Sequence, residues 1–257
     1  MTERGLFGWL RPWVFPALLV GAFEWYARRA AALGSDALAP PIAAAKAFMG
    51  AALDGSLWQA TGFTLGTAAL GLLLGAVLGI ALGLVIGLSR RAAQLGSLSI
   101  EVLRPVPSVA LIPLAMLTFG FGVRMELAIV AFATFWPLLV LVQSAVQQIE
   151  PRLLEVSRVL GLSPRERAFK IVLPAIVPRL FVAMRLGVAV ALVVAVTVEI
   201  AANPHGMGYA MMIAQQSLDP ALMLAWLAWI GVVGYVINVG ALALQRRVAR
   251  AMGEQTA

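Results

Sequence analysis

The chain has no cysteine and a single histidine, His205. Disulfides, thiol chemistry and cysteine-ligated metal are thereby excluded, and so is a multi-histidine metal centre. Lysine occurs only at Lys46 and Lys170, and neither follows a glycine. No G-x-x-x-x-G-K-[ST] sequence exists, so any nucleotide hydrolysis that drives this protein must come from another subunit. Spacing gives His205 no serine or carboxylate partner that would form a nucleophilic set. The chain therefore reads as non-catalytic, with no metal and no cofactor of its own. Charge is also scarce: 12% of the 257 residues are charged, against about a quarter in soluble domains.

Apolar surface is what the sequence has in abundance. Hydrophobic residues make up 61% and the mean hydropathy is +0.93, which places the chain in a bilayer. A net charge of +7 would suggest nucleic acid in a soluble protein. In a membrane protein the placement of the positive residues carries the information, and no nucleic-acid partner is implied.

Six spans are expected. The first covers the apolar run from Trp13 to Ala22, with Trp9, Trp13, Trp25 and Tyr26 as interface anchors; it is read as a retained span in preference to a signal peptide. A short surface helix should start after Pro40 and Pro41, on the outer face. Residues 64–88 form the second span, free of charge, with Gly71, Gly75, Gly79, Gly83 and Gly87 four apart on one helix face, where another backbone can approach closely. The third is assigned to the uncharged segment between Arg104 and Arg124. Its internal Pro113 would kink it and make it a candidate pore wall. Residues 127–149, 177–202 and 221–245 form the remaining three, with an outer loop from His205 to Pro220. Three units follow: residues 1–62 with the first span and outer surface helix, 63–248 as the core, and 249–257 as a short tail.

The basic residues orient these spans. Fourteen fall on one side, namely Arg4, Arg11, Arg90, Arg91, Arg104, Arg152, Arg158, Arg165, Arg167, Lys170, Arg179, Arg246, Arg247 and Arg250. Four fall on the other, at Arg28, Arg29, Lys46 and Arg124, with Arg185 inside a span. The rule that positive loops stay inside puts both termini and the segment 150–174 in the cytoplasm.

That segment, EPRLLEVSRVLGLSPRERAFKIVLP, is the one long charged passage between spans. Pro151 suits a first helical turn and Gly161 a left-handed terminus. Ser163, Pro164 and Glu166 start a second helix as a capping box, which Pro174 should close. The expected product is an amphipathic elbow that docks another protein. For residues 151–160 alone, a helix lying on lipid headgroups is the competing reading.

The spacing from Glu155 to Gly161, and from there to Ile171, Leu173 and Pro174, resembles the EAA loop of the membrane subunits of binding-protein-dependent ABC importers. The sequence departs from that motif at Val156 and Ser157, where the family carries two small residues. RPVPSVALIPLAMLTFGFG at 104–122, the RLG that begins at Arg185, Glu199 and GMGY at 206–209 extend the likeness toward the nitrate, sulfonate and taurine branch, across about three quarters of the chain. The resemblance implies an all-α permease of the type I importer kind in a bacterial inner membrane. It also implies a pair of ATPase subunits that bind ATP and Mg, a second permease copy, a solute-binding protein outside, and a small anionic solute. Bicarbonate or thiamine-precursor import within the same family is an alternative. A secondary transporter without an ATPase is another, but it would want inverted repeats or paired midplane acids, which are not seen.

For the elbow the resemblance points to Glu155, Ser157, Arg158, Gly161, Leu162, Ser163 and Arg165 as the coupling residues. Glu155 would contact the ATPase or stand as a solvated charge. In the spans, Thr118, Thr134, Arg185 and Glu199 are the candidates for a path or gate. Arg185 lies inside a span, where a charge faces a cavity or a partner; attraction of an anion and bonding to backbone carbonyls are both open. Glu199, fourteen residues further and roughly 21 Å along the helix, is expected near the outer gate. Thr197, Gln143 and Asn238 could line a path or bond between helices.

Overall fold

The structure, a computed structural model, describes residues 6–33 and 38–251, without the side chains of residues 6–13, 151, 154, 158, 164, 165, 249 and 251. The side chains of the expected anchors Trp9 and Trp13, and the tail past residue 251, lie outside the described residues. Every regular element described is helical: α1 (Leu6–Ala32), α2 (Pro41–Leu53), α3 (Ser56–Leu88), α4 (Arg90–Leu103), a 3-10 turn at Ser108–Leu111, α5 (Ile112–Phe119), α6 (Val123–Gln147), α7 (Pro151–Val159), α8 (Pro164–Arg167), a π-helical stretch at Ala168–Val172, α9 (Leu173–Ala202), α10 (Gly206–Gln216) and α11 (Pro220–Ala251).

The centre is the pairing of α3 with α6. A Cβ on Gly71 would stand 2.6 Å from the Val130 Cβ, on Gly79 2.7 Å from the Phe135 carbonyl oxygen, on Gly83 2.8 Å from the Leu139 carbonyl oxygen and on Gly87 2.7 Å from the Val146 Cβ. A Cβ on Gly75 would run into the Thr134 hydroxyl. All five partners lie on α6, so the four-residue glycine repeat is a seam along which two backbones touch. Helix α9 closes the third side, with Gly187 against Leu72 and Leu138. Leu72, Met125, Ile129, Val130, Leu138, Ala183, Ala195 and Val198 form the shared core. A second cluster ties α2, α10 and α11 to this centre through Leu57, Met207 and Trp226. There Trp229 packs on Phe48 and Trp58 and donates its indole N–H to the Thr61 hydroxyl at 2.8 Å.

Among the described residues, four helical stretches, Ser56–Leu88, Val123–Gln147, Ala168–Ala202 and Pro220–Val248, are long and apolar enough to cross a membrane. A fifth crossing is available if α4 and the Ser108–Phe119 segment, bent by 83°, count as one. The expected third span at 104–124 is thus only the second limb of a broken element that begins at Arg90. Pro105 and Pro107 bracket the break: each lacks an N–H and each biases the residue before it away from helix. The expected first span is a continuous helix, Leu6–Ala32, but the side chains of its first eight residues lie outside the described residues.

Two further expectations change. The stretch 205–220, read as an outer loop, contains the helix α10. Pro174 does not close the second elbow helix; it sits in the first turn of α9, and the chain runs on from α8 through the π-helical stretch without a stop. A proline within a helix leaves a carbonyl one turn back unbonded and crowds it, and the wider π turn before Pro174 absorbs both effects.

The seam predicts a contrast between neighbouring glycines of α3. Gly79→Ala should destabilise the detergent-solubilised protein by about 1–3 kcal/mol, the usual cost of overpacking. Gly66→Ala, with nothing within 4 Å of the added carbon, should leave the thermal midpoint unchanged. Equal midpoints for the two variants would show that α3 and α6 are not in backbone contact.

Candidate functional site

The elbow joins the end of α6 to the start of α9, and its shape follows from its residues. Helix α7 ends when Gly161 takes φ +65°, with the Leu162 N–H donating to the Ser157 carbonyl at 3.1 Å across the turn. The capping box at the next start is reciprocal. The Glu166 N–H donates to Ser163 Oγ at 3.3 Å, and the Ser163 N–H donates to Glu166 Oε2 at 3.0 Å. Lys170 Nζ reaches Glu166 Oε1 at 2.9 Å, one turn on. Hydrogen bonds from Lys170 and from Ser163 hold the Glu166 carboxyl down at about 2.

The coupling candidates divide by position. Glu155, Gly161 and Ser163 are exposed and Leu162 is half-buried, while the side chains of Arg158 and Arg165 lie outside the described residues. Ser157 is fully buried, so it seats the helix and offers no surface to a partner. A small residue is needed there even though Val156 beside it, 52% exposed, is large. Val159 at 88% and Leu160 at 64% stand exposed at the turn. This is the largest apolar step on the elbow and suits docking into another protein.

Behind the elbow the two spans are locked together. Val142, Ala145, Val146, Ile149, Val172 and Ile176 make one buried cluster where α6 and α9 meet the elbow, and Arg179 donates to the Ala145 carbonyl at 3.2 Å. A displacement of the elbow therefore moves α6 and α9 as a unit.

At the opposite end of the same helices lies a buried polar knot. Thr67 Oγ1 donates to Glu126 Oε1 at 2.5 Å, and Asn203 Nδ2 donates to Glu126 Oε2. The Gly208 N–H donates to Glu199 Oε2 at 2.8 Å, and the Met207 N–H to Thr64 Oγ1 at 2.9 Å. Glu126, Glu199 and Thr64 are fully buried and Asn203 is 1% exposed. A Cβ on Gly206 would collide with the Glu199 carboxylate, which is why a glycine begins α10. Sequence reasoning found Glu199 at the outer end but left Glu126 in a loop and passed over Thr64, Thr67 and Asn203. The available signal for Glu126 was a lone acid beside a charge-free run.

The remaining path candidates are dispersed. Thr134 is buried under Gly75 and bonds the Val130 carbonyl at 2.8 Å; it belongs to the seam. Thr118 is exposed and bonds the Leu114 carbonyl at 2.9 Å. Thr197 bonds Val193 of its own helix at 2.7 Å. Arg185 donates Nε to Asn238 Oδ1 at 3.2 Å, linking α9 to α11.

A polytopic helical protein that exposes one capped elbow, rigidly seated on two spans, is built as a permease subunit moved by a separate motor. Residues 75–254 match the family described as the binding-protein-dependent transport system inner membrane component, and the chain belongs to that family. It is the non-catalytic, multi-pass permease subunit of an ABC importer. Over 247 residues it is 28% identical to an aliphatic sulfonates transport permease protein of Bacillus subtilis, covering 96% of this chain and 89% of that one. The Escherichia coli protein of the same description is 32% identical, over 91% and 89%. The taurine transport system permease protein of Escherichia coli is 28% identical, over 79% and 74%. Among solved structures, the inward-facing MetNI methionine ABC transporter superposes with a TM-score of 0.65 at 19% identity, over 76% of this chain and 98% of that one. An amino acid ABC transporter superposes with a TM-score of 0.63 at 16% identity, over 79% and 98%. Both share the fold.

Two outcomes check the elbow. The Glu166 carboxyl titrates below the ordinary 4.5, so the stabilisation it lends the second helix start is complete above about pH 4.5 and is lost as pH falls toward 2. Carboxyl carbon NMR shifts of Glu166 should report that window, and a midpoint near 4.5 would mean that the box is not formed. Gly161→Val should cost transport through strain at positive φ, whereas Gly161→Asn, which tolerates that region, should retain most of it.

Proposed function

We propose that this permease imports a small organic anion of the aliphatic sulfonate class, taurine included, with nitrate as the inorganic member of the same branch. The reading rests on similarity to sulfonate and taurine permeases over most of the chain and on a core that carries isolated polar groups in place of dense charge. In such a transporter the binding protein selects the solute, and the membrane subunit passes it on.

The observation that carries the mechanism is the elbow between α6 and α9. Two copies of the chain enclose the path, and each elbow rests in a cleft of one ATPase subunit. Closure of the ATPase pair on ATP and Mg pushes Glu155 and the Val159–Leu160 corner, and the packed inner ends of α6 and α9 carry that push into the membrane as a rigid-body rotation. The distribution of basic residues supports a cytoplasmic elbow and cytoplasmic termini. The outer surface near residues 120–126 and 203–220 receives the binding protein. Residues 1–62 flank the core at 63–248, and 249–257 form the tail.

Reconstituted with its ATPase and binding protein, the permease should take up radiolabelled taurine or ethanesulfonate in an ATP-dependent manner. Uptake without ATP would favour a secondary transporter and overturn the reading. Glu155→Lys should weaken ATPase association at least roughly tenfold, the scale of a charge reversal at an interface. Unchanged co-purification would remove Glu155 from the contact.

A further inference from the structure

Where α4 breaks into the Ser108–Leu111 turn, a cavity of about 380 Å³ opens between α6 and α9. Trp136 lines it thirteen residues into α6, roughly 20 Å from the start of that helix. Leu186 lines it near the middle of the 30-residue α9. The cavity therefore sits near the centre of the apolar layer that both helices cross.

Its lining has two chemically distinct parts. One part is rich in hydrogen-bond donors. Arg104 contributes a guanidinium that pairs with no carboxylate among the described residues, and Ser108 adds a hydroxyl. Trp136, 9% exposed, has an indole N–H with no hydrogen-bond partner. The other part is apolar, supplied by Phe132, Leu186, Val194 and their neighbours, and no acidic side chain lines the cavity. Arg104 is exposed and stands at the edge of an apolar cavity, where a guanidinium without a carboxylate partner suits an anion, and a buried N–H without a partner calls for an explanation. One class of ligand satisfies both: an anionic head with several acceptor oxygens, joined to a short aliphatic tail. The volume falls within the range of small-molecule sites. Arg185, the basic residue that the sequence itself puts forward, is occupied by Asn238 and does not line this cavity.

We infer that this cavity is a solute site of the permease itself, in which Arg104, Ser108 and the Trp136 N–H hold the oxyanion head of an alkanesulfonate and the apolar wall holds its tail. The inference builds on the sulfonate reading above and adds where in this chain the solute rests. Affinity there is low, because a solute handed over by a binding protein has to leave again.

The test uses the permease–ATPase complex in lipid nanodiscs without binding protein, with sulfur-35 butanesulfonate as the probe in equilibrium dialysis. Saturable binding is expected, tightening by up to roughly fourfold for each methylene added from methanesulfonate to butanesulfonate, and 1-butanol should not compete. Arg104→Gln should weaken binding at least tenfold while still co-purifying with the ATPase. Arg104→Lys should retain more of it, because it keeps the charge but loses the planar fork. As a readout that does not require Arg104 variants to fold, 3-bromopropanesulfonate should quench tryptophan fluorescence in the native complex, and Trp136→Phe should abolish the saturable part of that quenching. Absence of saturable binding, or equal affinity in Arg104→Gln, would overturn the site. Sulfonate uptake without binding here leaves the transport reading intact and removes this site; saturable binding without uptake does the reverse.

Discussion

Backbone contact between α3 and α6 is the constraint on which the rest of this structure depends. In a bilayer, helices gain nothing from hiding apolar side chains from one another, since lipid is equally apolar; close packing must supply the attraction. Five glycines at four-residue intervals bring α3 against the carbonyls and β-carbons of α6 along most of its length. With those two helices fixed, Gly187 lets α9 press into the groove beside them, and the remaining helices attach to the outside. The contrast in burial follows from this order of assembly. Of the span stretches of α6 and α9, 44% is buried, but of that of α11 only 6%.

A rigid central trio also sets how force passes through the molecule. The elbow-side ends of α6 and α9 are joined by a buried cluster, and the elbow hangs from both. The far ends are joined to α3 and α10 by the knot of Glu126, Glu199, Asn203, Thr64 and Thr67. Hydrogen bonds in so dry a place are costly to leave unmade, so the knot holds the far ends in register as the apolar cluster holds the elbow-side ones. A trio fastened at both ends is built to turn as one body, which is what the proposed push on the elbow requires.

The sequence made much of this legible, and the misreadings share a cause. Glycines every four residues and a proline–glycine–serine–proline elbow are signals of local chemistry, and the structure places them where that chemistry requires. The break at Arg104 was concealed because an arginine flanked by prolines looks the same at the end of a span as in the middle of a broken one. Pro174 looked like a stop because a π-helical turn that tolerates proline has no signature of its own. Glu126 and Asn203 were hidden for a different reason. Each is a single polar residue at the edge of an apolar run, and only the fold brings Thr67 to Glu126 across 59 residues and Asn203 to Glu126 across 77.

Those same facts locate the part of the chain best able to respond to the trio's motion. Helix α4 buries none of its residues, so it is held weakly in comparison with the seam, and it leads into the break that carries Arg104 and Ser108. One wall of the central cavity therefore belongs to the rigid unit, through Phe132, Trp136 and Leu186, while the other comes from the break that follows α4 and carries Arg104 and Ser108. A rotation of the trio changes the distance between the donor wall and the apolar wall without breaking either helix core. In such a cavity the hold on an anion depends on the state of the elbow, which is how hydrolysis in one subunit can govern release in another.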